Sequence, residues 1–152
     1  MPEFSHTLPV RAEPAQVFAV LQDVQRTPEW LERCTGIEVL DEGRPGLGTR
    51  LLYHYRDGRQ EGTMDGVVAA WEPGSHVAMR YTDRMMDVTV DFVGAPADAG
   101  TQLTHTITIH TKGVGRVFTP LIARRLPRQT ISAMARLKAL VEGSGERPAA
   151  AP

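Results

Sequence analysis

An α+β fold, an antiparallel sheet with one buried face covered by a long C-terminal helix, is predicted by three observations. From Gly36 to Thr111 short runs of alternating apolar and polar residues are separated by turn residues, which is the pattern of strands. Placing those turns puts every apolar set on the same side of the sheet. After Gly113 the apolar spacing changes to that of a helix and holds to about Glu142.

Two short helices precede the sheet. Pro14 suits a first helical position, and Val17, Phe18 and Leu21 follow it as an apolar stripe. Thr27, Pro28 and Glu29 form a start signal for a second helix carrying Trp30 and Leu31. The stretch "RPGLGTRLLYHYRDG" from Arg44 then brings Gly46 and Gly48 close behind Gly43, which suggests a phosphate-cradling loop. Such a loop needs its glycines between a strand and a helix, or a following Lys-Ser/Thr. Here they precede a strand and no such pair follows, so they form a loop between strands.

Residues opposite each other in an antiparallel pair share a face, so each turn makes a checkable prediction. A turn at Asp57-Gly58 pairs Tyr53 with Gly62 and Leu51 with Met64, and on the other face His54 with Glu61 and Arg50 with Asp65. Pro73-Gly74 pairs Ala70 with Val77 and Val68 with Met79. Asp83-Arg84 pairs Tyr81 with Met86, Met79 with Val88 and Val77 with Val90, while Arg80 meets Asp87 and His76 meets Asp91 outside. A turn around Ala97-Asp98 sets Val90 opposite His105 and Val88 opposite Ile107. One face stays apolar through all four turns, whereas a one-residue slip would scatter charge onto both.

The covering helix carries Val117, Phe118, Leu121, Ile122, Ile131, Met134, Leu137, Leu140 and Val141. It should be about 40 Å long at 1.5 Å per residue, with Pro127 as the place for a kink or division. Residues 1–142 are expected to form one domain. The Gly/Pro/Ala-rich tail 143–152 is expected to be disordered.

A chain of 152 residues with 41% hydrophobic and 23% charged residues is long enough for a sizeable core. A net charge of −1 offers no general attraction to nucleic acid or anionic membranes. The single cysteine, Cys34, excludes an intrachain disulfide and fits a reducing compartment. With no basic n-region before an apolar run, and no stretch long enough to span a bilayer, the expected location is the cytoplasm.

The chain resembles the START-like (SRPBCC, helix-grip) superfamily, in particular its polyketide cyclase/dehydrase and lipid-transport branch. The resemblance rests on "LPVRAEPAQVFAVLQDV", "TPEW", "GRPGLGTRL", "VVAAWEPGSHVAMRY", "GTQLTHTITI" and the terminal "ARLKALVE", in that order. It implies a curved seven-stranded sheet wrapped around the C-terminal helix, two small helices completing the grip, and a hydrophobic ligand held between sheet and helix. The superfamily includes carriers as well as ring-closing enzymes, so fold alone leaves the function open.

Candidate ligand-binding residues on the inward face are Leu51, Tyr53, Tyr55, Gly62, Met64, Met79, Tyr81, Val90 and His105, with Phe118 and Ile122 facing them from the helix. Gly62, Gly66 and Ala70 either leave space there or permit curvature and aromatic packing over bare backbone. His105 shares its strand face with Leu103, Ile107 and Ile109. It is either a buried neutral imidazole satisfied by one hydrogen bond or a candidate catalytic acid/base working with a cavity tyrosine. His105 and His110 face opposite sides, Asp65, Asp87 and Asp91 lie outside, and Cys34 lacks ligand spacing, so neither a metal site nor any other cofactor is expected. Arg124, Arg125 and Arg128 form either a solvated helix face or a site for a phosphate headgroup or acidic partner.

The expected function is binding of a hydrophobic small molecule such as a lipid, quinone or polyketide-like ring compound. The alternatives are an aromatase/cyclase or dehydratase using His105 and a tyrosine, and a protein-interaction or regulatory module. The expected partner is the small molecule and not nucleic acid, with homodimerisation left open.

Overall fold

The computed structural model describes residues 2–146. Seven strands form one antiparallel sheet in the order β1-β7-β6-β5-β4-β3-β2. They are β1 (Glu3–Val10), β2 (Cys34–Val39), β3 (Arg50–Asp57), β4 (Gln60–Glu72), β5 (His76–Thr82), β6 (Met86–Ala97) and β7 (Gly100–Thr111). Helix α1 (Pro14–Leu21) follows β1, and α2 (Thr119–Glu146) closes the chain. This is the expected helix-grip architecture, with α2 packed chiefly along β1.

Three hairpin loops sit one residue later than expected. Gly58 has φ +67°, which suits the first loop position, so Asp57 stays in β3 opposite Gln60. Asp83 instead accepts the N–H groups of Met85 and Met86 at 2.7 and 2.9 Å on its side chain, which centres that loop on Arg84-Met85. In the third, Gly100 at φ +138° pairs with Ala97. Every partner therefore shifts by two: Tyr53 faces Met64, Leu51 faces Gly66, Met79 faces Val90, Tyr81 faces Val88, and His105 faces Phe92. A shift of two keeps the side-chain face, so the buried set survives the changed register.

The outer pairs change as well. Arg50 stands opposite Val67 and binds Asp41 at 2.7 Å, while His54 stands opposite Thr63 and meets Glu38 at 2.9 Å. Arg80 faces Thr89. His76 faces Val93 in register, yet its Nε2 reaches diagonally to Asp91 at 2.6 Å.

On β4, Val68 pairs with Met79 as expected, but a bulge at Ala69 follows. Beyond it Ala70 meets Ala78 and Trp71 meets Val77, so Trp71 turns inward in place of Ala70. The second short helix also differs: it is a 3-10 segment, Val24–Glu29, that begins before Thr27. The Thr27 hydroxyl donates back to the Val24 carbonyl at 2.7 Å inside that turn, so it does not cap a new helix. Pro127 removes one backbone donor without dividing α2. The helix also continues through Gly143–Glu146, where a tail was expected, and residues 147–152 of that tail lie outside the described residues.

The core gathers Val10, Phe18, Leu103, Met134, Leu137 and Val141 between sheet, α1 and the later turns of α2. Each such side chain contributes about 1.5–3 kcal/mol on burial.

Candidate functional site

Beneath the middle turns of α2 the interior opens into a cavity of about 580 Å³. Alternation along the strands places Tyr53, Tyr55, Met64, Met79, Tyr81, Val90, Phe92 and His105 on its wall. On α2, Leu126, Thr130 and Ala133 recur at helical spacing and form the opposite wall. Trp30, delivered by the 3-10 segment, closes one side with its ring edge-on to Phe92 at 5.8 Å.

Of the residues expected here, Tyr53, Tyr55, Met64, Met79, Tyr81, Val90 and His105 line the cavity. Leu51 is buried in the core beside it. Gly62 lies beneath the Tyr55 ring, whose hydroxyl is 2.5 Å from where a β-carbon would stand, so it gives the aromatic ring a seat and adds no cavity space. Gly66 does the same for Tyr81. Phe118 and Ile122 do not line the cavity, because α2 turns its buried stripe inward only from Leu126 onward. Arg128 reaches the rim whereas Arg124 and Arg125 do not. Trp30 had no periodic signal of its own, and the helix wall needed the rotation of α2 to be known.

The tyrosines form a stack, with Tyr53 4.8 Å from Tyr81 and 6.3 Å from Tyr55, centroid to centroid. Burial raises the Tyr53 and Tyr81 hydroxyls well above the ordinary phenol range, so both remain protonated. His105 stacks on Phe92 at 4.2 Å, and its Nδ1 lies 3.2 Å from the Asp91 carbonyl oxygen. A carbonyl only accepts, so Nδ1 carries the proton and Nε2 is left as an acceptor. Burial pushes the His105 imidazolium down to about 4, so the ring is neutral at pH 7. Trp30 Nε1 is the one buried side-chain donor without a partner among the described residues, enclosed and without accessible surface.

Charges gather at the rim. The Arg33 guanidinium sits 5.8 Å from the Tyr55 ring centroid and 3.7 Å from Asp57, and Arg136 lies 3.7 Å from Glu32. Burial pushes the Cys34 thiol up to about 11, which leaves it a poor nucleophile. Among the described residues no group of three His, Cys, Asp or Glu side chains is placed to hold a metal. No helix among them is long and apolar enough to cross a membrane.

A sheet gripping a helix over an aromatic cavity, with one neutral acceptor on its wall, defines a helix-grip protein with a ligand-sized interior. The chain belongs to the polyketide cyclase/dehydrase and lipid transport family, whose model matches residues 1–142. No curated protein matches it in sequence. Among solved structures it is similar to the ZhuI aromatase/cyclase of a Streptomyces species, at 20% identity and TM-score 0.74 over 92% of this chain and 93% of that one. It is also similar to TTHA0849 of Thermus thermophilus, at 17% identity and TM-score 0.76 over 94% and 99% of the two chains. The di-domain aromatase/cyclase StfQ of the steffimycin pathway matches at 16% identity and TM-score 0.74, over 94% of this chain and 51% of that one. At these identities the likeness is one of fold.

Proposed function

We propose that the chain binds a hydrophobic small molecule of two to several rings, or a folded acyl chain, in the cavity between sheet and α2. The cavity itself carries this reading: about 580 Å³ falls within the range of small-molecule sites, and aromatic, methionine and aliphatic groups dominate its wall. Apolar burial would supply most of the affinity, at about 25 cal/mol per Å². His105 Nε2 accepts from a ligand hydroxyl.

Binding is a better reading than acid–base catalysis because neither partner is tuned for proton transfer at pH 7. An imidazolium at about 4 belongs to a weak base, and tyrosines raised by burial are weak acids. Ring closure by positioning a flexible chain is the second reading, supported by the His105 acceptor stacked on Phe92 in the aromatic wall. His105→Gln keeps a hydrogen-bonding group there, so binding should persist, and loss of a ring-closing activity on that variant would favour the enzyme.

Fluorescence tests the binding directly. In a Trp71→Phe background Trp30 is the sole indole, and it lines the cavity. Titration with a two-ring quinone should quench it saturably. A flat titration, together with no co-purified small molecule in native mass spectrometry, would rule the cavity out as a binding site.

A further inference from the structure

We propose that the outward face formed by residues 113–125 docks on an anionic lipid bilayer. Val114, Val117, Phe118 and Leu121 recur at helical spacing, but they point away from the core. Val114 and Val117 are 73% and 77% exposed, and Phe118 and Leu121 are 44% and 43% exposed. The turn that starts the stripe, Gly113–Phe118, is seated on the sheet by its one buried residue, Gly115. A β-carbon there would overlap the Met85 carbonyl oxygen, which also accepts the Lys112 N–H at 2.8 Å. A 2.7 Å hydrogen bond between the Thr111 and Thr119 hydroxyls ties the two ends of the turn.

Basic groups surround that stripe. Between Asp98 and Glu142 the chain carries seven Lys and Arg residues and no Asp or Glu, an asymmetry that a total of −1 conceals. Arg116, Arg124 and Arg125 are exposed beside the stripe, as is Arg84 in the neighbouring β5–β6 loop. None of the four enters an ion pair among the described residues. The nearby carboxylates are already engaged, Asp83 by the Met85 and Met86 N–H groups and Asp87 by Lys112 at 3.1 Å. Apolar side chains ringed by unpaired arginines match a negatively charged headgroup layer over acyl chains. Met86, Leu126 and Arg128 line the cavity next to this face, so docking would bring the cavity rim to the lipid.

Co-sedimentation of the full chain with vesicles tests this, using phosphatidylcholine alone and phosphatidylcholine mixed with phosphatidylglycerol. Binding to the mixed vesicles, weakened by salt, is expected. Val117→Asp with Phe118→Asp should abolish it, and Arg124→Gln with Arg125→Gln should weaken it by about fivefold for each arginine removed. These side chains lie outside the cavity, so quinone quenching of Trp30 should be unchanged in both variants, which separates this proposal from the cavity reading. Equal pelleting with both vesicle types, or mixed-vesicle binding untouched by either pair of changes, would overturn it. A concentration-dependent dimer that Val117→Asp disperses, with no vesicle binding, would instead assign the face to a second copy of the chain.

Discussion

At one end of the interior β6 and β7 carry Gly94, Thr101 and Leu103, and α1 fills the space above them; at the other the same strands carry Val88, Val90 and Ile107, and the space stays open. The boundary falls at the Phe92–His105 pair. On the closed side the Phe18 ring lies over Gly94, with its Cε2 2.5 Å from where a β-carbon would stand, and it has no exposed surface. Thr101 donates to the Ala12 carbonyl at 2.7 Å, and Met134, Leu137 and Val141 complete the packing. On the open side α2 presents Thr130 and Ala133, too small to reach the sheet. The lesson is that the cavity comes from what the helices bring. Phe18 and Met134 fill the closed end, although its strands carry Gly94 and Thr101, while the more apolar open end is left unfilled.

The largest expected effect breaks the closed end. Phe18→Ala should cost roughly 4 kcal/mol in urea unfolding, because a ring with no exposed surface leaves a void. A cost below about 1 kcal/mol would mean that the two ends are not packed differently.

Next comes the boundary. His105 is held at about 4 in the folded chain against 6.5 unfolded, so the unfolded state takes up its proton first as pH falls. Its neutral burial is fully tolerated above pH 6.5, and stability is lost as pH falls from there toward 4, by roughly 3 kcal/mol. Unfolding free energies measured across that window should fall less steeply in His105→Gln, and parallel profiles would contradict the assigned environment.

The smallest stability effect belongs to the open end. Ala133→Phe should occupy the cavity, changing stability by only about 1 kcal/mol while lowering affinity for a two-ring quinone tenfold or more. Unchanged quenching of Trp30 would show that the ligand sits elsewhere.

Much of the sheet was legible because side-chain faces depend on parity. Three loops displaced by one residue altered every partner, yet left Tyr53, Met79 and His105 facing inward. The Ala69 bulge was not legible, because inserting one alanine into an apolar run changes no pattern until the strand is paired. Cavity residues on strands were found for the same reason as the strands themselves. Phe118 and Ile122 were misplaced because apolar periodicity reports that a helix has a face, not what that face meets. Leu126, Thr130 and Ala133 carry no signature separating a cavity roof from an ordinary helix interior.

The extra residue in β4 has a consequence for what closes the interior. It sets the strand in two opposite phases, so that past position 69 the odd numbers look inward, and Trp71 stoppers the interior beside Val77. Omitting Ala69 would straighten the strand and leave Trp71 opposite Val77, still inward, whereas pairing the same residues without the bulge would swing the indole to solvent and bring the Ala70 methyl in. The closure of this flank is therefore set by how β4 pairs and not by its length.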